Sequence, residues 1–592
     1  MKFKRVISIC LVLTMLFSFT AFAADPDSVA GSAYTPDYDT ETPVIIVHGM
    51  SQNNTYLVDE NGNWVPDETG YVTGWPLEID VMPLLKRALP NMLASIVTRS
   101  DVGLTEAMYE GTYNALSLIE KDNDGKYINN IVTPCYEMPM SELPEAVREE
   151  YYNFLPIQEL SEIVGEDDVY YFGYDSLGDV MYETEKLHHY IHDVVLPKSP
   201  NGQVKLCHIS LGGTIAINYL ETYPEDYELI KKMVFVIPAI DGSDIIGDLY
   251  TGNLSVFYDD DTLYEDLLVT LLGDTYLAYL LNMVLRILPD DVLKSALSGL
   301  ANGLVEVAAV RTTMLWALCP DAYYEEAKSM WLEGRDELSG ILEDVEYFMN
   351  ARANFEENLN ELRETGCEVF DIACYDVNLF PLCKNYKTKN ADRVIHAASP
   401  SMGATFADLG TTLGDDYKAA GTYCDNPEHN HLSPDGVVDA TTGLLPCTTW
   451  YFKAQAHEQL PQNDVALTLA IRVMADNNMK DVYSNPAFPQ FNEGRLTFNA
   501  LENIEAWNEA DKSGISAENV AAVEAAVAKV EALYDNTIVD QAAWNAADAE
   551  LEQALVAAGV IADEAPTAVE NAFTTILKYL NKTVNILFKH FS

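Results

Sequence analysis

Val204-Lys-Leu-Cys-His-Ile-Ser210-Leu-Gly-Gly-Thr214 decides how this chain reads. Val204 to His208 is a short apolar, strand-like run. From Thr214 to Tyr223 the apolar residues recur at helical spacing, and the turn between the two runs centres on Ser210. A strand that passes straight into a helix belongs to an alternating strand–helix unit, the building block of a mostly parallel sheet covered by helices on both faces. In such a sharp turn the Ser210 hydroxyl is exposed and the Leu211 backbone N–H sits at a helix N-terminus, where positive partial charge favours an oxyanion. Gly212 and Gly213 let the helix approach the strand closely. The common form of this motif, Gly-x-Ser-x-Gly, has glycine two residues before the serine. Here that place holds His208, which must find room beside the turn.

Working outward, Pro43 to Val47 is a β-branched run leading into His48-Gly49-Met50, and Val169 to Tyr174 is a second run, followed by Asp175. A helical stretch from Met181 to Val195 comes next. Beyond the Ser210 unit lie the strand-like Met233 to Pro238, Cys367 to Tyr375 and Thr449 to Lys453. Between Asp244 and Glu364 strand signals vanish, and the text reads as a helical insertion, expected to form a cap over the site. Its apolar run Leu267 to Leu288 contains Asp274 and Arg286, which a membrane span would place in hydrocarbon.

Neutral serine is a weak nucleophile and needs a base, with an acid to orient it. Five histidines follow Ser210, and His457 stands just after the Thr449 to Lys453 strand, whereas His429 and His431 lie in a polar loop flanked by prolines and His590 in the tail. Asp435, in Ser433-Pro-Asp-Gly-Val-Val438, lies 22 residues before His457, a span that fits one loop and one strand. It is the expected acid, with Asp439 and Asp376 as competitors.

These residues give the chain from about Pro43 to Leu460 a resemblance to α/β-hydrolases of the secreted bacterial lipase and lecithin–cholesterol-acyltransferase-like group. The resemblance implies an α/β-hydrolase fold, a Ser210–His457–Asp435 triad, an oxyanion hole built from the N–H groups of Met50 and Leu211, and no organic cofactor. It also implies cleavage of carboxylic esters, of a lipid-like kind if the helical insertion shelters acyl chains. An acyltransferase would use the same residues. A non-catalytic cell-surface binding protein on the same fold is the alternative from another class.

The chain ends and charge frame these expectations. Met1-Lys-Phe-Lys-Arg5, an uncharged run from Val6 to Phe22 and the Ala21-Phe-Ala23 pattern read as a signal peptide covering residues 1–23, hence a secreted protein. Losing Lys2, Lys4 and Arg5 takes the net charge from −57 to −60, a poor surface for nucleic acid and one that favours neutral or zwitterionic esters. With 592 residues, one catalytic domain over 24–500 and an appendage are expected. Residues 501–562 are rich in Ala, Glu and Asp and read as a helical hairpin whose second helix spans Gln541 to Ala558. Residues 563–592 carry Lys578, Lys582 and Lys589 on an amphipathic helix that either docks on the acidic body or touches a lipid surface. Eight cysteines remain after the signal peptide. They permit disulfides, but no pair has C-x-x-C spacing, so no zinc site is expected. The acidic runs Asp259 to Asp261 and Asp122 to Gly125 fall short of calcium loops and read as solvated turns.

Overall fold

Seven short strands, largely apolar in all but the last, an edge strand, build the centre of the molecule in this computed structural model. They are β1 (Val44–Val47), β2 (Val169–Phe172), β3 (Val204–Ile209), β4 (Ile230–Val236), β5 (Glu368–Tyr375), β6 (Thr449–Lys453) and β7 (Phe491–Glu493). Every pairing is parallel, in the order β7-β6-β5-β4-β3-β1-β2. The structure describes residues 34–561, with interruptions at 68–69, 78–81, 260, 269, 271–281, 284, 427, 486–487, 494–502, 505–506, 509, 511 and 535–540. The signal-peptide reading, the amphipathic tail and part of the Leu267 to Leu288 run lie outside the described residues.

Continuous apolar strands are what a parallel sheet buried on both faces demands. In β1, Ile45 and Val47 point into one core layer while Val44 and Ile46 point into the other, and all four are fully buried. The first layer packs the helices Val180–His189 and Gly212–Thr222 against the sheet; the second packs Gln158–Val164 and Asp464–Ala475. The six strands expected from sequence all appear, displaced by a few residues at their ends. The edge strand β7 and the three-stranded antiparallel sheet formed by Thr55–Leu57, Thr73–Trp75 and Ile131–Val132 were not anticipated.

The insertion between Asp244 and Glu364 is helical, but it divides between two layers. Val305 to Leu362 belongs to the same apolar core as the sheet: Phe355 meets Phe235 of β4 edge-on, and the helices Ser339–Ala353 and Phe355–Glu364 lie against Gly212–Thr222. That half is body, not cap. The earlier half, including Val256, Leu263, Val292 and Ala296, forms a separate apolar cluster with Ala88, Leu104, Leu379 and Phe380. Its helix Asp290–Leu304 packs so tightly on Leu104–Leu116 that a Cβ on Gly299 would come within 2.3 Å of the Thr105 carbonyl oxygen. The lobe therefore draws on residues 82–116 as well as on the insertion.

The appendage contains two helices, Ala517–Tyr534 and Gln541–Ala558, which pair through Val523, Val530, Ala547, Leu551 and Leu555 and close over Trp507. Its second helix has the bounds expected from sequence.

Candidate functional site

Ser210 follows β3 directly and has φ +50°, a left-handed conformation that costs a non-glycine residue energy and is retained where the surroundings over-determine it. The turn is tied on three sides. Its N–H donates to the Val236 carbonyl of β4 (3.0 Å), and its own carbonyl accepts from Gly213 (2.9 Å) and Ala239 (3.0 Å). Helix Gly212–Thr222 starts two residues later, and a Cβ on Gly212 would lie 2.5 Å from the Val47 carbonyl oxygen, so only glycine lets the helix enter here.

His208 finds its room inside the sheet. It is fully buried, stacks on Phe235 and hydrogen-bonds the Gly212 carbonyl through Nδ1 at 2.9 Å. Nε2 has no partner among the described residues. Burial lowers its pKa to about 4, so the ring is neutral and Nδ1 carries the donated proton.

His457 stands just beyond β6, and its Nε2 lies 2.8 Å from Ser210 Oγ. The opposite ring nitrogen, Nδ1, is 2.7 Å from a carboxylate oxygen of Asp392, not Asp435. Asp392 is fully buried. Its other oxygen accepts from the N–H groups of Val394 (3.0 Å) and Ile395 (2.7 Å), and its backbone carbonyl accepts from the His457 N–H (2.8 Å). Burial alone would lower the imidazole pKa, but the charge and hydrogen bond of Asp392 outweigh it, helped by Glu458, and the net shift is upward.

The expected acid is therefore corrected. Asp435 binds Ser433 (2.5 Å), Tyr375 (3.1 Å) and Lys453 (3.1 Å), and Asp439 takes Tyr417, Ala420 and Thr441. Asp376 pairs with Lys453 at 3.7 Å. None of the three orients His457. Asp435 fails because the Asp-Gly segment folds into a turn held by Ser433 and Val437, whereas the chain after β5 makes an excursion first. It pairs Val377–Asn378 with Asn390–Ala391 as a short antiparallel ladder, and this returns Asp392 to the histidine. The available signal was a carboxylate downstream of the β5 strand, but one displaced by a hairpin that carries no strong turn signature.

The His48-Gly49-Met50 loop lies against the serine, where a Cβ on Gly49 would sit 3.1 Å from Ser210 Cβ. His48 itself is structural. It is fully buried and stacked on Tyr174, with Nδ1 at 2.6 Å from the Gly49 carbonyl and Nε2 at 3.3 Å from the Tyr174 N–H. Burial holds its pKa down at about 3, so it stays neutral and braces the loop. Among the described residues no protein acceptor engages the N–H of Met50 or Leu211. Leu211 follows Ser210 directly, and Met50 follows Gly49, which lies against the serine. A chain Asp392–His457–Ser210 can deprotonate the hydroxyl for attack on a carbonyl carbon.

The described cysteines Cys135 to Cys447 are all free of disulfide bonds, and Cys207 and Cys374 are buried in strands. Cys424, His429, His431 and Cys447 converge at a separate place.

No family model matches this chain, and no curated protein matches it. A solved structure described as the crystal structure of the Tle4–Tli4 complex aligns with 73% of this chain and 98% of its own, at 12% identity and a TM-score of 0.26. A likeness this slight carries no weight for fold family, activity or partner.

Proposed function

We propose that the protein is a secreted serine hydrolase of the α/β-hydrolase fold that cleaves carboxylic esters with a lipid-like acyl group. The observation that carries this reading is the continuous hydrogen-bond relay from Asp392 through His457 to a serine held at a strained strand-to-helix turn. In the proposed reaction His457 Nε2 takes the Ser210 proton as Oγ attacks the ester carbonyl. Asp392 stabilises the imidazolium, and the N–H groups of Met50 and Leu211 receive the oxyanion. His457 then gives the proton to the leaving alcohol. Water, activated by the same imidazole, releases the acyl group from Ser210.

The lipid-like substrate class is supported by the apolar helical lobe, whose Leu379, Phe380 and Ala391 precede Asp392 in the chain. The strongly acidic composition favours a neutral or zwitterionic ester over an anionic one. Export is supported by the leader-like first 23 residues.

Labelling with a fluorophosphonate probe, together with turnover of nitrophenyl esters of graded chain length, tests the reading. Covalent labelling of wild type, lost in Ser210→Ala, and faster turnover of medium or long acyl chains are expected. A wild-type chain that is folded yet neither labelled nor active would point instead to a binding protein on this fold.

A further inference from the structure

We propose that Cys424, His429, His431 and Cys447 form a structural zinc site of the Cys2His2 kind, separate from the Ser210 relay. Their ligand atoms all lie within 4.8 Å of one another. Three edges of the cluster are resolved: Cys424 Sγ to His429 Nδ1 at 3.5 Å, Cys447 Sγ to His429 Nδ1 at 3.8 Å, and Cys447 Sγ to His431 Nε2 at 3.6 Å. A tetrahedral zinc with Zn–S near 2.3 Å and Zn–N near 2.0–2.1 Å has sulfur–nitrogen edges of about 3.6 Å. The three sulfur–nitrogen edges thus already match that tetrahedron, and the remaining pairs lie within 4.8 Å. Two thiols and two imidazoles suit zinc better than calcium or magnesium, which take oxygen ligands.

The surroundings select the ligand form of His431. Gln490 Nε2 donates to the carbonyls of Pro446 (2.7 Å) and Thr449 (3.0 Å), which fixes the orientation of the amide. Gln490 Oε1 must then accept, and it lies 2.7 Å from His431 Nδ1. The ring proton is therefore on Nδ1, and the Nε2 lone pair faces Cys447. A metal-bound histidine is commonly held by such a partner. His431 is buried, and the Tyr483 ring covers both imidazoles, at 4.8 Å from His429 and 5.9 Å from His431.

The expectation of no zinc site rested on spacing along the chain. The fold supplies what spacing does not. His431 is brought round by the hairpin that bonds its carbonyl to the Ala440 N–H, and Cys447 stands two residues before β6, its own carbonyl bonded to Val482. A cation here would pin the 424–431 loop to the start of the strand that ends beside His457. Four protein ligands leave no open position, so the role is structural.

The rival state in an oxidising compartment is a Cys424–Cys447 disulfide, and the experiment separates the two. The full-length exported protein, purified without chelator, is analysed for metal by plasma mass spectrometry, and its intact mass is measured without reduction. About one zinc per chain is expected, retained on dialysis and in a Cys135→Ser control, and lost in Cys424→Ser and in Cys447→Ser. If those variants fold poorly, titrating the wild type with a mercurial thiol reagent should release the zinc stoichiometrically to a chromogenic chelator. Cobalt exchange should give the intense visible bands of a tetrahedral thiolate site. A protein with no zinc after incubation with zinc, a Cys424–Cys447 disulfide seen as a mass lower by two hydrogens, or zinc retained in the paired Cys→Ser variant would each overturn the proposal.

Discussion

Arg393 and Glu458 form an ion pair at 2.8 Å, and each is the immediate chain neighbour of a member of the relay, Asp392 and His457. Both side chains are largely buried, Arg393 has φ +86°, and the second Glu458 oxygen has no partner among the described residues. The pair therefore fastens the loop that presents the acid to the loop that presents the base. Removing Arg393 would leave a carboxylate without its cation beside the imidazole. Arg393→Ala is expected to lower kcat by about tenfold with a smaller change in KM, and Glu458→Gln by less. A double-mutant cycle on kcat/KM should show coupling of about 1–2 kcal/mol; strictly additive losses would mean that the pair does not position the relay.

The identity of the acid gives a sharper contrast. Asp392→Asn should reduce kcat on the order of 10⁴-fold with the fold intact, because the imidazole loses both its orientation and its counter-charge. Asp435→Asn should stay within a few-fold of wild type, since Asp435 serves Lys453 and Tyr375. Steady-state kinetics on a soluble nitrophenyl ester would decide, and a dead Asp435→Asn beside an active Asp392→Asn would reverse the assignment.

The pH dependence follows from the upward shift of His457. A general base works only when neutral, so activity is absent well below the imidazole pKa and appears as pH rises through it. Because Asp392 and Glu458 raise that pKa against the effect of burial, the acid limb of kcat/KM should lie above the ordinary imidazole range. In Asp392→Asn the raising charge is gone and burial remains, so the limb of the residual activity should move to lower pH. A limb that stays fixed in that variant would assign the titration to another group.

Gly212 tests the turn by packing alone. Gly212→Ala places a methyl 2.5 Å from the Val47 carbonyl oxygen and 3.0 Å from that of His48, both backbone atoms that cannot swing away. The helix must shift off the sheet, and a loss of about 2–4 kcal/mol together with reduced fluorophosphonate labelling is expected. Denaturant unfolding measures the first and gel fluorescence the second; an alanine variant as stable and as reactive as wild type would refute the close approach.

The division of the insertion predicts two deletion outcomes. Replacing all of 244–364 with a linker should yield insoluble protein, because Phe355, Leu359 and Leu362 complete the core over β3 and β4. Removing only the lobe helix Asp290–Leu304, with a short bridge, should preserve labelling of Ser210 and alter chain-length preference. Soluble, labelled protein after the full deletion would restore the whole insertion to the status of a cap.

The sequence alone determined the parts whose cause is local. A short β-branched apolar run reads as a strand buried on both faces, and the strand–Ser210–glycine–helix text reports its turn within a dozen residues. A histidine just after a late strand pointed to His457, and Ala-rich helical spacing marked the hairpin at 517–558. Only the tertiary structure decided what depends on chain returning from a distance. Asp392 reaches His457 because the excursion after β5 folds back on itself, and Asp435, better placed by spacing, is consumed by a turn and by Lys453. Residues 305–362 joined the body because their apolar faces meet the helix after Ser210, a match that periodicity describes for each helix but assigns to no partner. The meeting of Cys424, His429, His431 and Cys447 was invisible for the same reason. Ligand spacing reports a site only when the residues are neighbours in the chain, and here a hairpin and the approach to β6 bring them together.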